Sequence, residues 1–295
     1  MDVDVRGQRF EFSDQIRDDE RLRPGFNALT RETYGFDFEA WYQNGNWGDR
    51  YQPYVLAKDG KVVANVSLNR MEVVLEGRRV ALAQIGTVMT TPAFRHQGLS
   101  AYLMGRVLEA VRREGRPVFL FANDSVLDFY PKFGFVRGTE TQCVIPLRQG
   151  GQSRFRRLDM GREENRARVL SLYGAGQPFS ALYEVDNPGL MMFYLESFMK
   201  DCVYELECGA LAVAEREGDV LLLHAVLKNG PVDLFEAARQ VADANTRRVC
   251  LGFSPKDRAG FQQEPFKEED STLFWLDGKK PQGFEGLRIP QLSHA

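Results

Sequence analysis

Residues able to do chemistry are concentrated in one stretch of the 295-residue chain, Thr87-Val-Met-Thr-Thr-Pro-Ala-Phe-Arg-His-Gln-Gly-Leu-Ser100. A strand-like run halts at Pro92. Arg95-x-x-Gly98-x-Ser100 then opens a segment whose apolar residues (Leu99, Leu103, Val107, Leu108, Val111) recur at helical spacing. The first amides of a helix lack intrahelical acceptors, and the helix dipole is positive there. Gly98 allows a ligand to approach the backbone closely. A strand–loop–helix junction of this composition is a cradle for a diphosphate. Neither G-x-x-x-x-G-K-[ST] nor G-x-G-x-x-G is present at it. Downstream, Asn123 follows the apolar run Val118-Phe-Leu-Phe-Ala122, Tyr130 comes seven residues later, and Gly134-Phe135 follows.

Together these segments resemble the Gcn5-related N-acetyltransferase (GNAT) superfamily. Its [Q/R]-x-x-G-x-[G/A] motif is matched by Arg95-His-Gln-Gly-Leu-Ser100, after Val88-Met-Thr-Thr-Pro92, with Ser100 keeping the last position small. The Asn, Tyr and Gly-Phe of a second family signature fall on Asn123, Tyr130 and Gly134-Phe135. The resemblance covers roughly Tyr54 to Leu147. The chain also looks like the multi-domain branch containing the enhanced-intracellular-survival acetyltransferases, without their lipid-carrier-like C-terminal domain. The resemblance implies acetyl-CoA as co-substrate and no metal. Backbone groups of Val88, Met89 and Thr90 would pair with the pantetheine arm as an added strand does. N–H groups across Arg95, His96, Gln97, Gly98, Leu99, Ser100 and Ala101 would bind the diphosphate, and Asn123 the pantetheine. Tyr130 would protonate the departing thiolate, and the N–H of Met89 would hold the oxyanion. The amine would attack directly, since no G-x-S-x-G nucleophile motif is present. The slot where some family members carry a basic Glu is Gln84, which takes no proton. Glu72 is the carboxylate assigned as base, with Ala295 reaching back as a distant option. Trp41 and Trp47 are assigned to the acceptor wall, and Asp37, Glu39 and Asp49 nearby would suit a cationic amine.

The elements that must position these residues read as α+β. A helix is expected from Phe26 to about Tyr34. One hairpin is expected across Tyr54–Ala57 and Val62–Leu68, and another across Met71–Leu75 and Val80–Ile85. A helix over Leu99–Arg113, a strand at Val118–Ala122 and a helix over Ser125–Lys132 precede closing strands. Arg148-Gln-Gly-Gly-Gln-Ser153 reads as a joint. After it the order restarts: a strand at Arg154–Leu158, a helix at 162–173, strands near 203–206, 210–213 and 220–227, a helix at 233–245 and a strand at 248–253. The expectation is two GNAT-like domains in tandem, each a mixed, mostly antiparallel sheet flanked by helices. Residues 1–148 would bind acetyl-CoA. Residues 153–295 carry Lys228-Asn-Gly-Pro-Val-Asp233 at the equivalent junction, lack the motif, and would wall the acceptor site or support a homodimer.

Composition narrows the partners. Lys and Arg number 38 against 41 Asp and Glu, a formal net charge of −3, which gives no basic surplus for nucleic acid. The 43% hydrophobic content supports true cores. Four cysteines without C-x-x-C read as reduced thiols, and three distant histidines argue against a metal site. No run reaches the ~18–20 apolar residues of a membrane span, and the acidic start Met1-Asp-Val-Asp is not a signal peptide. A cytoplasmic acetyltransferase acting on an amine of a small molecule or peptide is the expected function. A non-catalytic acyl-CoA sensor or scaffold is the alternative.

Overall fold

The structure is a computed structural model that describes residues 1–295. The polar N-terminal stretch forms a hairpin, β1 (Asp2–Val5) and β2 (Gln8–Ser13), turning at Arg6-Gly7. Helix α1 (Leu22–Tyr34) starts four residues before the expected Phe26, because Asp19 accepts from the N–H of Leu22 and Pro24 fits a first turn. The short α2 (Glu39–Gln43) leads to β3 (Tyr51–Lys58), β4 (Lys61–Leu75) and β5 (Arg78–Thr90), all antiparallel. The two expected hairpins share one 15-residue strand, since β4 runs through Asn69-Arg70 unbroken. Helix α3 (Leu99–Glu114) crosses to β6 (Val118–Ala122), which lies parallel to β5. The helix expected over 125–132 is instead two 3-10 turns, at Asp124–Val126 and Tyr130–Phe133; Pro131 has no N–H to continue an α-helix. Strands β7 (Phe135–Arg137) and β8 (Glu140–Pro146) follow.

The second half contains β9 (Phe155–Arg157), α4 (Glu163–Gly174), β10 (Leu182–Val185), α5 (Pro188–Glu196), β11 (Val203–Leu206) and β12 (Leu211–Glu217). It ends with β13 (Val220–Leu227), α6 (Leu234–Val241), β14 (Arg248–Leu251), β15 (Gln262–Phe266) and β16 (Thr272–Leu276). The β5–α3–β6 crossover recurs as β13–α6–β14, again with the two strands parallel. No helix is long and apolar enough to cross a membrane.

The strands form two sheets, mixed and mostly antiparallel, as the α+β reading requires. Their order is β1-β2-β3-β4-β5-β6-β16-β7, with β10 against β4, and β15-β8-β14-β13-β12-β11-β9. The joint expected at 148–153 does not separate them. Strand β8, ahead of the joint, lies in the second sheet between β14 and β15. Strand β16, far beyond it, lies in the first sheet between β6 and β7. The apolar alternation that marks a strand carries no information about which sheet receives it, so sequence order suggested a clean cut.

Strand alternation sorts the β5–β6 side chains between two cores. Ala83, Ile85 and Leu120 face α3, whose stripe Leu99, Leu103, Met104, Val107, Leu108 and Val111 is buried against them. At ~1.5–3 kcal/mol per fully buried large apolar side chain, that stripe anchors the helix strongly. Leu82 and Phe119 face the other way, onto Trp275, Phe284 and Ile289. An aromatic cluster of Phe26, Phe38, Trp41, Trp47 and Tyr51 ties α1 and α2 to β3 and to the buried Met89 of β5.

Candidate functional site

Strands β5 and β6 pair only over Ala83–Ile85 and Val118–Leu120. Beyond Ile85 they separate, while β6 goes on pairing with β16 through Ala122. The separation begins at a bulge: Thr87 and Val88 together oppose a single residue of β4, between the Ser67–Gly86 and Asn65–Met89 pairs. Thr87 holds φ at +45°, an unusual conformation for a β-branched residue. It is fixed there by Asn65, whose Nδ2 donates to the Thr87 carbonyl at 2.7 Å, and by the Tyr51 hydroxyl against Thr87 Oγ1.

Backbone alternation then identifies the free groups. The N–H of Thr91 donates to Val63 of β4, so that of Met89 also points to β4 and those of Val88 and Thr90 point into the gap. The Met89 N–H, expected to hold an oxyanion, therefore points to β4 and away from the gap. Met89 contributes a buried side chain instead, 2% exposed.

At the far end of the gap, α3 begins without a side-chain cap. Gly98 stands at the N-cap with φ +88°, and His96 two residues earlier also has positive φ, at +63°. This alternation turns successive amides toward one point, the nest geometry that favours anions. Thr90 Oγ1 and Ser100 Oγ lie 2.7 Å apart and lock the strand end to the helix start. The loop is open to solvent, with Arg95, His96 and Ala101 exposed and Gln97, Gly98 and Ser100 half-buried. The N-terminal hairpin folds over it. Gln8 Nε2 donates to Gln97 Oε1 at 2.9 Å, and a Cβ on Gly98 would meet Arg6 Nε at 2.8 Å. Arg6 is exposed and has no carboxylate partner. Sequence reading missed it because only the folded hairpin brings it there.

Tyr130 sits in the second 3-10 turn, 5% exposed, against Phe129, Phe135 and Phe274. Burial pushes its phenol well above the usual tyrosine range, and the Tyr34 hydroxyl is near enough to add to the effect. Tyr34 Oη donates to the Val88 carbonyl at 3.3 Å; desolvation around the hydroxyl pushes it up to about 12, although the residue as a whole is 40% exposed. Tyr51 also senses Tyr34 and is raised by burial. Three neutral phenols thus converge on the bulge. Asn123 is exposed and leads into the first 3-10 turn.

Two sets of expected residues lie elsewhere. Glu72 of β4 is seven residues along the strand from Asn65, the partner of Met89, or ~23 Å away at strand rise. It pairs with Arg116 at 3.0 Å and is no base for this site. Trp41 and Trp47 are 5% and 4% exposed, with indole N–H groups donating to the carbonyls of Gly189 and Tyr51. They are core behind the wall rather than the wall. The acidic trio is also committed: Asp37 pairs with Arg31, Glu39 with Arg23, and Asp49 with Arg17. What reaches the face opposite α3 is the end of the sequence. Ala295 exchanges two hydrogen bonds with the Gln84 side chain, at 2.9 and 3.1 Å, and lies on Gly86, where any Cβ would collide with it. His294 stacks on Phe121 with ring centroids 4.1 Å apart. The tail therefore straddles the point where β5 and β6 part.

The second crossover is closed at its helix start. Asp233 caps α6 with its own carboxylate, accepting from Phe235 and Glu236. Gly252 donates to Leu223 at 2.8 Å at the end of the β13–β14 pairing, which covers only Val220–Leu223, while β13 runs on to Leu227, so these strands part as well.

The parted parallel strands and the uncapped helix amides are the arrangement that the sequence resemblance to a class of acyl-CoA-dependent transferases implies. Residues 19–138 match the family model described as an acetyltransferase (GNAT) domain, and the chain carries a GNAT-type N-acetyltransferase domain there. No curated protein matches the sequence. Among solved structures, a GCN5-related N-acetyltransferase from Kribbella flavida is similar at 18% identity, over 91% of this chain and 72% of that one, with a TM-score of 0.55. Eis1 from Mycobacterium abscessus is similar at 14% identity, over 91% and 74%, with a TM-score of 0.56. A GCN5-related N-acetyltransferase from Anabaena variabilis gives 15%, 90%, 72% and 0.56. The likeness to these three is one of fold, and it extends through both sheets.

Proposed function

We propose that the chain transfers an acetyl group from acetyl-CoA to a primary amine, with the whole site in the first sheet. The single observation that carries this is the gap beside Val88 and Thr90, which opens onto the uncapped amides of α3. The pantetheine amides take the place of a strand along the gap, Asn123 bonds the same arm, and the amides from His96 to Ala101 receive the diphosphate. Arg6 and Arg95 add positive charge at the rim. The N–H of Val88 polarises the thioester carbonyl. The amine attacks from the face covered by the tail, and Tyr130 gives its proton to the leaving thiolate. With Glu72 remote, the amine enters neutral and releases its proton to water at the Gln84–Ala295 pair. The second sheet is a degenerate copy of the first: Asp233 sits where a diphosphate would have to bind, and like charges repel. A cytoplasmic location is part of the same proposal.

Titration calorimetry with acetyl-CoA, followed by thiol-release assays over an amine panel, tests this. Binding with micromolar or better affinity and turnover of at least one amine are expected. No binding of CoA at all would reject the proposal. The lack of a carboxylate side chain at the centre favours one rival, a sensor that binds acyl-CoA without reacting; binding without turnover on a broad panel would select it.

A further inference from the structure

Six large apolar side chains are exposed in the whole molecule: Met1, Tyr34, Val126, Val136, Leu170 and Phe198. The two aromatics among them, Tyr34 at 40% and Phe198 at 53%, belong to one patch. Phe36 joins them, with ring centroids 6.0 Å from Tyr34 and 5.2 Å from Phe198, the latter edge-on. Phe193 of α5 completes it, 5.9 Å from Phe36 and 5.6 Å from Phe198. Both halves of the chain build this surface, and α5 is held in place by the Trp41 bond to Gly189.

Its position links it to the reaction. The Tyr34 hydroxyl bonds the Val88 carbonyl, in the gap where the thioester must lie. Phe36, Phe193 and Ala295 pack on the same cluster that holds Met89. The carboxylates nearest in sequence are occupied: Asp37 by Arg31, Glu196 by Arg166 and Asn46, and Asp201 by Arg157. Glu32 has no cationic partner, but it lies two residues before Tyr34 and so ~200° around the helix from it. Rings that stack with edges and faces exposed, beside no free side-chain anion, give another ring a stacking contact on top of its buried area, and give a second ammonium group only the weaker attraction of an exposed cation–π contact.

We propose that the acceptor is a primary amine carried on an aromatic body, seated on Tyr34, Phe36, Phe193 and Phe198, and not a polyamine or other polycation. The inference rests on the acetyl-transfer reading above and names its substrate class. The test uses full-length protein with acetyl-CoA and four acceptors: 2-phenylethylamine, a tetrapeptide beginning with Phe, propylamine and spermidine. The first two separate a free aromatic amine from a peptide N-terminus. At least one of them is expected to exceed propylamine and spermidine in kcat/KM by about tenfold or more. Phe198→Ala is expected to remove most of that advantage through KM, leaving propylamine turnover and CoA affinity as they were. Equal or better turnover of spermidine overturns the proposal. So does an equal effect of Phe198→Ala on all acceptors, or an effect on self-association by sedimentation with KM unchanged, which would make the patch an interface between copies. Bound CoA with no turnover of any of the four also overturns it, whereas failure to bind CoA strikes the underlying reading instead.

Discussion

Replacing Tyr130 by Phe removes one oxygen that bonds to nothing else in the protein while keeping the ring in its apolar seat. If that oxygen supplies the thiolate's proton, kcat falls at least tenfold, with CoA affinity and melting temperature nearly unchanged. Unaltered kcat would dismiss Tyr130 as the acid. Gly98 makes a different expectation. At φ +88° an alanine costs ~1–2 kcal/mol in backbone strain, and its methyl also pushes on Arg6. Gly98→Ala should therefore weaken CoA binding about tenfold or more by calorimetry, and Arg6→Ala by a smaller factor that shrinks further in high salt. The placement of Arg95 and Gly98 ahead of a helix was legible because neighbours in sequence stay neighbours in space. Arg6 was not, since the β1–β2 hairpin had to fold first. Glu72 and the two tryptophans were misplaced for a related reason: residue type does not reveal how far along a strand a side chain sits, or whether an aromatic faces inward.

At the scale of elements, the five-residue tail is the part most exposed to conditions. His294 is buried against Phe121, and its imidazole is pushed down to about 3, chiefly by desolvation, with the Arg288 charge acting the same way. The undocked tail would titrate near 6.5, its ordinary value. Between those two values the free tail takes up a proton that the docked tail refuses, so docking is strongest above pH 6.5 and weakens as pH falls. Activity should show an acid limb beginning near pH 6.5 while CoA affinity stays level. His294→Phe keeps a ring on Phe121 and cannot protonate, so its profile should be flatter; an identical limb in the variant would exclude this origin. Most strands were readable from alternation, and β6, β11 and β13 fall within the limits expected of them. The tail was not, because a short polar segment gains its structure only from the surface it lands on.

Across the whole molecule, the two sheets are bound by buried groups and by exchanged strands. Glu184 of β10 sits between them, raised to about 8 because burial disfavours its charge, with Asn187 donating to it at 2.8 Å. The unfolded carboxyl has the ordinary value of 4.5, so from 4.5 to 8 the folded state holds the extra proton and stability drops as pH rises. Glu184→Gln should match the parent below pH 4.5 and melt at a higher temperature at pH 8.5; a gap of the opposite sign would refute the assignment. The strand exchange makes a stronger demand. Without β16, a 1–148 fragment leaves β6 and β7 without their shared partner and strips Phe274 and Trp275 from two cores, each loss worth ~3–5 kcal/mol on the scale of large-to-small core changes. The complementary fragment loses β8 and with it the contact joining β14 to β15. Sums of that size equal or exceed the ~5–15 kcal/mol by which domains are stable. Fragment 1–148 contains every residue proposed above to bind the cofactor, yet it should neither melt cooperatively nor bind CoA. Joint expression with 149–295 should restore both. Tight CoA binding by 1–148 alone would show that the exchanged strands are dispensable and that the sequence joint is the true division.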